Sequence, residues 1–511
     1  MNPYPRLRNS KITLVFLPKS KFIKMNSEIR ALEPISVWNN FADLNAVPRA
    51  SKKEEQVIAF MMAFGQGLGL STTKDEVGNV IIRKPATPTM ENRKTVVLQS
   101  HLDMVHQKNR DTKFDFSTQG IEMMVVDGWV KANGTTLGAD NGMGVAAIMA
   151  ILQSDQLQHP AIEALFTIDE ETGMTGAQGL KGGILKGDIL LNLDTEEDDE
   201  IDIGCAGGVD LTASRSYKEE ETPSGVMAYQ ISVKGLHGGH SGMDIHRGFG
   251  NANKIMNRLL FEGFESFGLR IASIDGGGLR NAIPRESEAV VVVDEIHHDA
   301  FALEFNQLAS SIKKEFKVME PNLVISAEVT DVPAFVMELG VQEGITRAIY
   351  AAHNGVYAMS PTMEDLVQTS NNIARVKIKE GKLKVMCLTR SSVESSKIDL
   401  ANALRSCFEL CGCSVELKGF YPGWNPNMNS PILKVLTAKY EELFNDKPKV
   451  VACHAGLECG ILGQNYPEMD MISFGPTIKG AHSPDERVEI ESVKKFWKFL
   501  KEILANTPVK E

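Results

Sequence analysis

Thr95-Val96-Val97-Leu98-Gln99-Ser100-His101-Leu102-Asp103 opens with a nearly continuous apolar run and closes on two residues of metal-ligand type. A short apolar run of this kind reads as a strand covered on both faces, the form strands take in parallel sheets. Two further runs share the design: Ile162 to Ile168 ends in Asp169-Glu170-Glu171, and Ile189 to Leu193 ends in Asp194. Between the first and second lies Thr136-Leu137-Gly138-Ala139-Asp140-Asn141-Gly142-Met143-Gly144, one carboxylate among small residues ahead of the apolar helical run Val145 to Leu152. Taken alone, Asp140 reads as a helix cap, since Asp and Asn caps are common. Strands alternating with helices predict an α/β domain whose mixed, largely parallel central sheet is flanked by helices. In such sheets ligands bind beyond the carboxyl ends of the strands, and the candidate ligands stand there.

The chain has 511 residues, well beyond a single hydrophobic core, so two or more domains are expected. A hydrophobic share of 43% with 23% charged residues is that of an ordinary globular protein. The formal charge of -12 and a pI near 5.5 argue against nucleic acid or an anionic membrane surface as partner. Seven cysteines with no Cys-x-x-Cys pair suit a reducing compartment, and Cys407, Cys411 and Cys413 read as small residues on a helix and the turn after it. Residues 1–24 are basic and lack acids, but their apolar run, Ile12 to Leu17, stops at Pro18 and is too short for a secretory or spanning segment. Met25 then opens a helical segment, so 1–24 reads as an upstream start or a disordered tail. No later stretch is long and apolar enough to span a bilayer, and a cytoplasmic location is expected.

Helical spacing runs from about Pro34 to Leu68, broken at Pro48, and Val77 to Ile82 reads as a strand. At Gly207-Gly208 the texture changes. Residues 227–233 alternate apolar and polar, and a Gly- and His-rich loop follows, Gly235-Leu236-His237-Gly238-Gly239-His240-Ser241-Gly242. Helices and strands then recur to about 420. Residues 208–420 read as an inserted α+β domain, in two structurally similar halves, within a discontinuous catalytic domain of 25–207 and 421–511. The last helix, Glu491 to Leu504, repeats apolar residues at Val493, Phe496, Trp497 and Leu500.

Five residues of ligand type stand at strand ends or helix starts of the catalytic domain: His101, Asp140, Glu171, Asp194 and, in the loop after Met471 to Phe474, His482. Two imidazoles and three carboxylates suit zinc or a similar divalent ion, and suffice for two ions sharing one carboxylate. Paired ions are a recurrent hydrolytic device. Asp103, two residues after His101, projects to the same side of an extended strand and can accept the second ring N–H of His101. Glu170 and Glu171 are neighbours that point apart, so one can hold metal while the other serves as general base.

His101-Leu102-Asp103, Gly138-Ala139-Asp140-Asn141, Asp169-Glu170-Glu171, Asn192-Leu193-Asp194 and Ala481-His482-Ser483-Pro484 together resemble metallopeptidase family M20. Gly-Ala-Asp-Asn-Gly, His454-Ala455-Gly456-Leu457-Glu458-Cys459-Gly460 and the long insert resemble its aminoacyl-histidine dipeptidase branch. The resemblance runs from about Met25 to the C-terminus. It implies that Asp140 bridges two zinc ions, for which cobalt or manganese can substitute. His101 and Asp194 would complete one site, Glu171 and His482 the other, with Glu170 as base and Asp103 steadying His101. It also implies a cis Asp140–Asn141 peptide. On the insert it assigns His240 to polarising the substrate carbonyl, and Asn281 and Arg390 to gripping substrate backbone or carboxylate. Gly456 would offer backbone N–H groups. Glu458 faces a basic substrate side chain or caps a helix; the residues favour neither. The implied substrates are unblocked dipeptides, Xaa-His among them. An aminoacylase or other amidohydrolase on the same scaffold, and a non-catalytic metal-binding homologue, stand as alternatives. Lids of this family often pair two copies into a homodimer, while a two-halved lid can mimic that pairing within one chain.

Overall fold

The computed structural model describes residues 26–109 and 111–510; the expected N-terminal extension, 1–24, lies outside them. The chain divides into two compact units. Of the described residues the first takes in those from 26 to 200, 434–448 and 473–510, and the second 201–433 and 449–472. The second unit thus contains all of 208–420 and also takes in 201–207, 421–433 and 449–472.

In the first unit, strands β1 (Ser71–Lys74), β2 (Val80–Lys84), β3 (Val96–His101), β6 (Ile162–Thr167) and β7 (Ile189–Asn192) lie in the order β1-β2-β6-β3-β7. β3 pairs parallel with both β6 and β7, while β2 runs antiparallel to β1 and β6. Every residue of β3, β6 and β7 is buried, as their unbroken apolar runs require. β2 begins at Val80, three residues after the expected Val77. Asp75 Oδ1 accepts the N–H groups of Val77, Gly78 and Asn79 and holds them in a turn.

Helix Ala139–Gln153 is apolar all round and correspondingly buried, packed against helix Ile35–Leu44, whose Phe41 ring lies against Gly142. The expected break at Pro48 is a longer connection, from Asn45 to Glu54, before helix Glu55–Gly67. The C-terminal helix Ile490–Ala505 buries Val493, Phe496, Trp497 and Leu500, one stripe at helical spacing. A second, antiparallel sheet joins Ile478–Lys479, Arg487–Glu489, β5 (Trp129–Ala132) and β4 (Met123–Val126). His482 sits in the loop between the first two of these strands.

The second unit is built on a nine-stranded antiparallel sheet. One half carries Val324–Thr330, Val226–Lys234, Ser287–Asp294 and Arg270–Gly277, with helices Ala252–Phe267 and His298–Glu315. The other carries Val367–Lys379, Lys382–Ser391, Gly207–Ser216 and Ser414–Tyr421, with helices Leu339–Ala351 and Glu394–Leu410. The halves join where Arg270–Gly277 pairs with Val367–Lys379, Ile274 facing Ile378. The repeat therefore lies in element order and pairing, within one continuous sheet and core.

Candidate two-metal active site

His101 ends β3 and Asp194 follows β7 by two residues, while Glu170 and Glu171 open the single-turn helix after β6. The carboxyl ends of three adjacent strands therefore deliver four of the candidate residues. Asp140 arrives from the start of helix Ala139–Gln153. It is not the cap: Gly138, at φ 71°, occupies the N-cap position, and Asp140 itself has non-helical torsions and a cis bond to Asn141. His482, at φ 63°, completes the group.

The two oxygens of Asp140 face different partners. Oδ1 lies 3.0 Å from His101 Nε2, which is also 3.6 Å from Asp194 Oδ1. Oδ2 lies 3.1 Å from His482 Nε2, itself 3.0 Å from Glu171 Oε2. Each side of the shared carboxylate thus pairs one imidazole with one further carboxylate. Glu171 Oε1 is buried without a hydrogen-bond partner, an orphan that a cation would satisfy. His101, Asp140 and Glu171 present ligand atoms within 4.8 Å of one another, as do Glu54, Asp103 and Asp169 beside them. In the latter group Asp169 accepts hydroxyl hydrogen bonds from Thr172 and Thr175, and Glu54 accepts the Lys52 N–H.

The electrostatics are those of a site that demands positive charge. Burial opposes ionisation of Asp140, but hydrogen bonds from His101 and His482 outweigh it and hold its carboxyl well below the usual range. Hydrogen bonds to Asp140 and Glu171 push His482 up to about 11. Desolvation works against protonating His101, yet the Asp194 charge and bonds to Asp103 and Asp140 raise it well above an ordinary imidazole. Burial, and then the Asp140 charge, raise Glu171. Protons are drawn to the positions that divalent ions would take, and the donor set fits such ions.

Asp103 is fully buried and works on two neighbours. Its main-chain carbonyl lies 3.1 Å from His101 Nδ1 and its Oδ1 3.4 Å, so Nδ1 keeps its proton, and an ion that displaced the proton on Nε2 would meet that nitrogen's lone pair. The same carboxylate accepts the N–H groups of Glu170 (3.0 Å) and Glu171 (3.4 Å), tying the His101 strand end to the turn bearing both glutamates.

Two buried residues escape a reading of the sequence. Glu486, 2% exposed, accepts four consecutive backbone N–H groups, Leu137 and Gly138 on Oε2 and Ala139 and Asp140 on Oε1. Arg49, 1% exposed, donates to the carbonyls of Leu102, Asp103 and Gly138. Together they clamp the loop carrying Asp140 to the strand end carrying His101. Asn141 adds a third tie, donating to the Leu193 carbonyl beside Asp194 (2.5 Å).

The candidate residues of the insert lie in the second unit. His240 Nδ1 accepts the N–H of Met243 (3.0 Å), which places the ring proton on Nε2. Arg390 Nη2 stands 3.4 Å from that Nε2, two donors side by side, while Nη1 donates to the Tyr421 hydroxyl (2.7 Å). A Cβ at Gly242 would overlap the His454 carbonyl, so glycine lets the two loops meet. Asn281 accepts the Ser241 N–H through its carbonyl, and its side chain is exposed. Gly456 lies in the turn before helix Glu458–Asn465.

His454 joins this group, its Nε2 2.8 Å from Ser370 Oγ. Burial first, then the charges of Arg390, His240 and His246, lower its pKa to about 3. The folded state keeps it neutral while the unfolded chain protonates it below 6.5, so its contribution is whole above that pH and shrinks on acidification towards about 3. Wild type should lose roughly 1–2 kcal/mol more than His454→Asn between about pH 6.5 and 5, read from paired denaturant titrations. Equal losses would place the ring in contact with water.

Two imidazoles and three carboxylates gathered around Asp140, beyond the carboxyl ends of an α/β sheet, are consistent with a two-metal hydrolase. The model of peptidase family M20/M25/M40 matches residues 97–506, and the chain belongs to that family. The cytosol non-specific dipeptidase of Escherichia coli (strain K12) is 43% identical over 486 residues, covering 95% of this chain and 100% of that protein. The crystal structure of aminoacylhistidine dipeptidase from Vibrio alginolyticus superposes with a TM-score of 0.88 at 43% identity, covering 94% of this chain and 99% of that one. Aminopeptidase PepT from Bacillus cereus shares the fold, with a TM-score of 0.54 at 15% identity over 93% and 98% of the two chains.

Proposed function

We propose that this chain is a cytoplasmic two-metal dipeptidase acting on unblocked dipeptides, Xaa-His among them. The observation that carries the reading is the division of Asp140, each oxygen facing its own imidazole and further carboxylate. Similarity to a cytosolic dipeptidase and to an aminoacylhistidine dipeptidase supports the substrate class and the compartment. Among the described residues no helix is long and apolar enough to cross a membrane.

Zinc is the proposed ion, with cobalt or manganese as substitutes, because mixed imidazole and carboxylate ligands suit all three. Bound there, the ions supply Lewis acidity and lower the pKa of water to near neutrality. His101 and Asp194 would hold one ion and Glu171 and His482 the other, with one oxygen of Asp140 available to each set. Glu170 takes the proton of the attacking water and returns one to the leaving amine. His240 offers its Nε2–H to the carbonyl oxygen, Arg390 its guanidinium to the substrate carboxylate, Asn281 grips the substrate backbone, and Gly456 offers backbone N–H to the carboxylate. The charge of -12 supports a small-molecule substrate rather than nucleic acid.

Hydrolysis of carnosine and Gly-Leu, set against N-acetyl amino acids, tests the reading. Turnover of the acetylated compounds alone would make the chain an aminoacylase. Chelation should abolish hydrolysis, and two equivalents of zinc per chain should restore it; activity surviving full metal removal would overturn the two-metal assignment. Arg390→Ala should raise KM for dipeptides by roughly 10–100-fold, the loss of a charge-assisted bond worth about 1.5–3 kcal/mol, at unchanged metal content. A drop in bound metal would mean that Arg390 acts elsewhere. A homodimer would sediment at twice the 56.1 kDa of one chain, which decides between pairing and a self-sufficient monomer.

A further inference from the structure

Cys411-Gly412-Cys413 lies where helix Glu394–Leu410 gives way to strand Ser414–Tyr421. Gly412, at φ 78°, turns the chain so sharply that the flanking side chains meet, with Cys411 Sγ 3.6 Å from Cys413 Sγ. The environments of the two thiols differ. Cys413 is 6% exposed and belongs to the core of the second unit. Cys411 is half-buried at the helix end, after Leu410, which is 90% exposed. Arg215 donates to the Cys411 carbonyl (2.5 Å), and its guanidinium lies against Gly412. While protonated, Cys411 donates its thiol hydrogen to the Phe408 carbonyl (3.1 Å); once ionised, its sulfur can accept from Cys413 beside a fixed positive charge, a setting that favours thiolate. The hydrogen bond from Cys413, and then Arg215, lower the Cys411 pKa to about 7, while the same contact raises Cys413. The third thiol of the cluster, Cys407, is engaged otherwise, donating to the Ala348 carbonyl.

We propose that Cys411 and Cys413 form a reversible dithiol–disulfide site, with Cys411 as the attacking sulfur, Cys413 as the resolving one and a hydroperoxide as oxidant. In the first step the Cys411 thiolate attacks the terminal peroxide oxygen: an S–O bond forms, the O–O bond breaks, and the alkoxide leaves and is protonated to the alcohol, or hydroxide to water when the oxidant is hydrogen peroxide. The sulfur is oxidised by two electrons and the peroxide is reduced by two. In the second step Cys413 gives up its proton and attacks the Cys411 sulfenic acid. The S–S bond forms, the S–O bond breaks and water leaves. Two equivalents of a small thiol reverse the product by exchange, and a ring closed over a single glycine is of the labile kind. The site is independent of the metal centre and of the reaction proposed there.

The test uses the full chain, oxidised with a few equivalents of hydrogen peroxide and then denatured in iodoacetamide. Trypsin releases 406–418, which holds Cys407, Cys411 and Cys413 together, so fragment ions must assign the bond. The expected product carries one alkyl group, on Cys407, and a mass about 2 Da below that of the dithiol across 411–413. Prior reduction with dithiothreitol should restore alkylation of all three. Cys413→Ser should lose the cross-link and leave Cys411 trapped by dimedone, whereas Cys407→Ser should behave as wild type. Alkylation of all seven cysteines after peroxide would overturn the proposal, as would a bond through Cys407 or between two chains.

Discussion

Glu170→Gln should lower kcat for dipeptide hydrolysis by ~10²–10⁴-fold while metal content stays at the wild-type level, because it removes a proton acceptor and no ligand. The side chain is nearly isosteric, and the Asp103 bond to the Glu170 backbone N–H (3.0 Å) does not involve it, so the turn should persist. Glu171 is the contrasting neighbour. Its Oε2 lies 3.0 Å from His482 and its Oε1 is the buried orphan, so Glu171→Ala should lose bound metal together with activity. Metal stoichiometry measured beside kcat on the same preparations separates the two. Near-normal turnover in Glu170→Gln, or loss of metal equal to that of Glu171→Ala, would show that the roles are wrongly divided.

Glu486→Ala should cost about 10–100-fold in metal affinity, although Glu486 is not one of the proposed ligands. Its carboxylate gathers the N–H groups of residues 137–140, and removal strands up to four buried donors, each worth about 1–3 kcal/mol. The loop then has no reason to present both Asp140 oxygens to their separate imidazoles. Arg49 on the other side of the loop would lose its countercharge, and its guanidinium is already lowered to about 10 by burial against the opposing pull of Glu486. Glu486→Gln should fall between, since one oxygen remains an acceptor while the amide opposes two donors. Metal titration alongside thermal unfolding decides the matter. A fall in Tm with unaltered metal affinity in both variants would make Glu486 a matter of stability alone.

The readable part of this protein was its sheet and the residues at the sheet's edge. Val96–His101, Ile162–Thr167 and Ile189–Asn192 are buried on both faces, so their apolar runs are unbroken and the first polar residues beyond them mark the carboxyl edge. His101, Glu170, Glu171 and Asp194 were singled out for that reason, and Asp140 by its glycine-rich surroundings. β2 starts later than the expected Val77 because Asp75 draws three N–H groups into a turn, a side-chain effect that the run of residues itself does not register. The cap reading of Asp140 failed for a related reason: capping is a local preference, and two imidazoles brought from positions 101 and 482 outbid it.

Arg49 and Glu486 carried no signal at all. Each is a charged residue in a connection, a type and place that ordinarily mean solvent, and no spacing relates position 49 to 138 or 486 to 137. Their role arises only when the chain closes on itself and leaves carbonyls of 102, 103 and 138 and N–H groups of 137–140 without water. The sequence by itself determined which side chains could bind metal and at which strand ends they stand, because burial of a strand is written in its own residues. Which oxygen of Asp140 meets which imidazole, and what holds that loop in place, only the tertiary structure decided. Buried backbone polar groups must be paired, and their partners come from wherever the fold brings them.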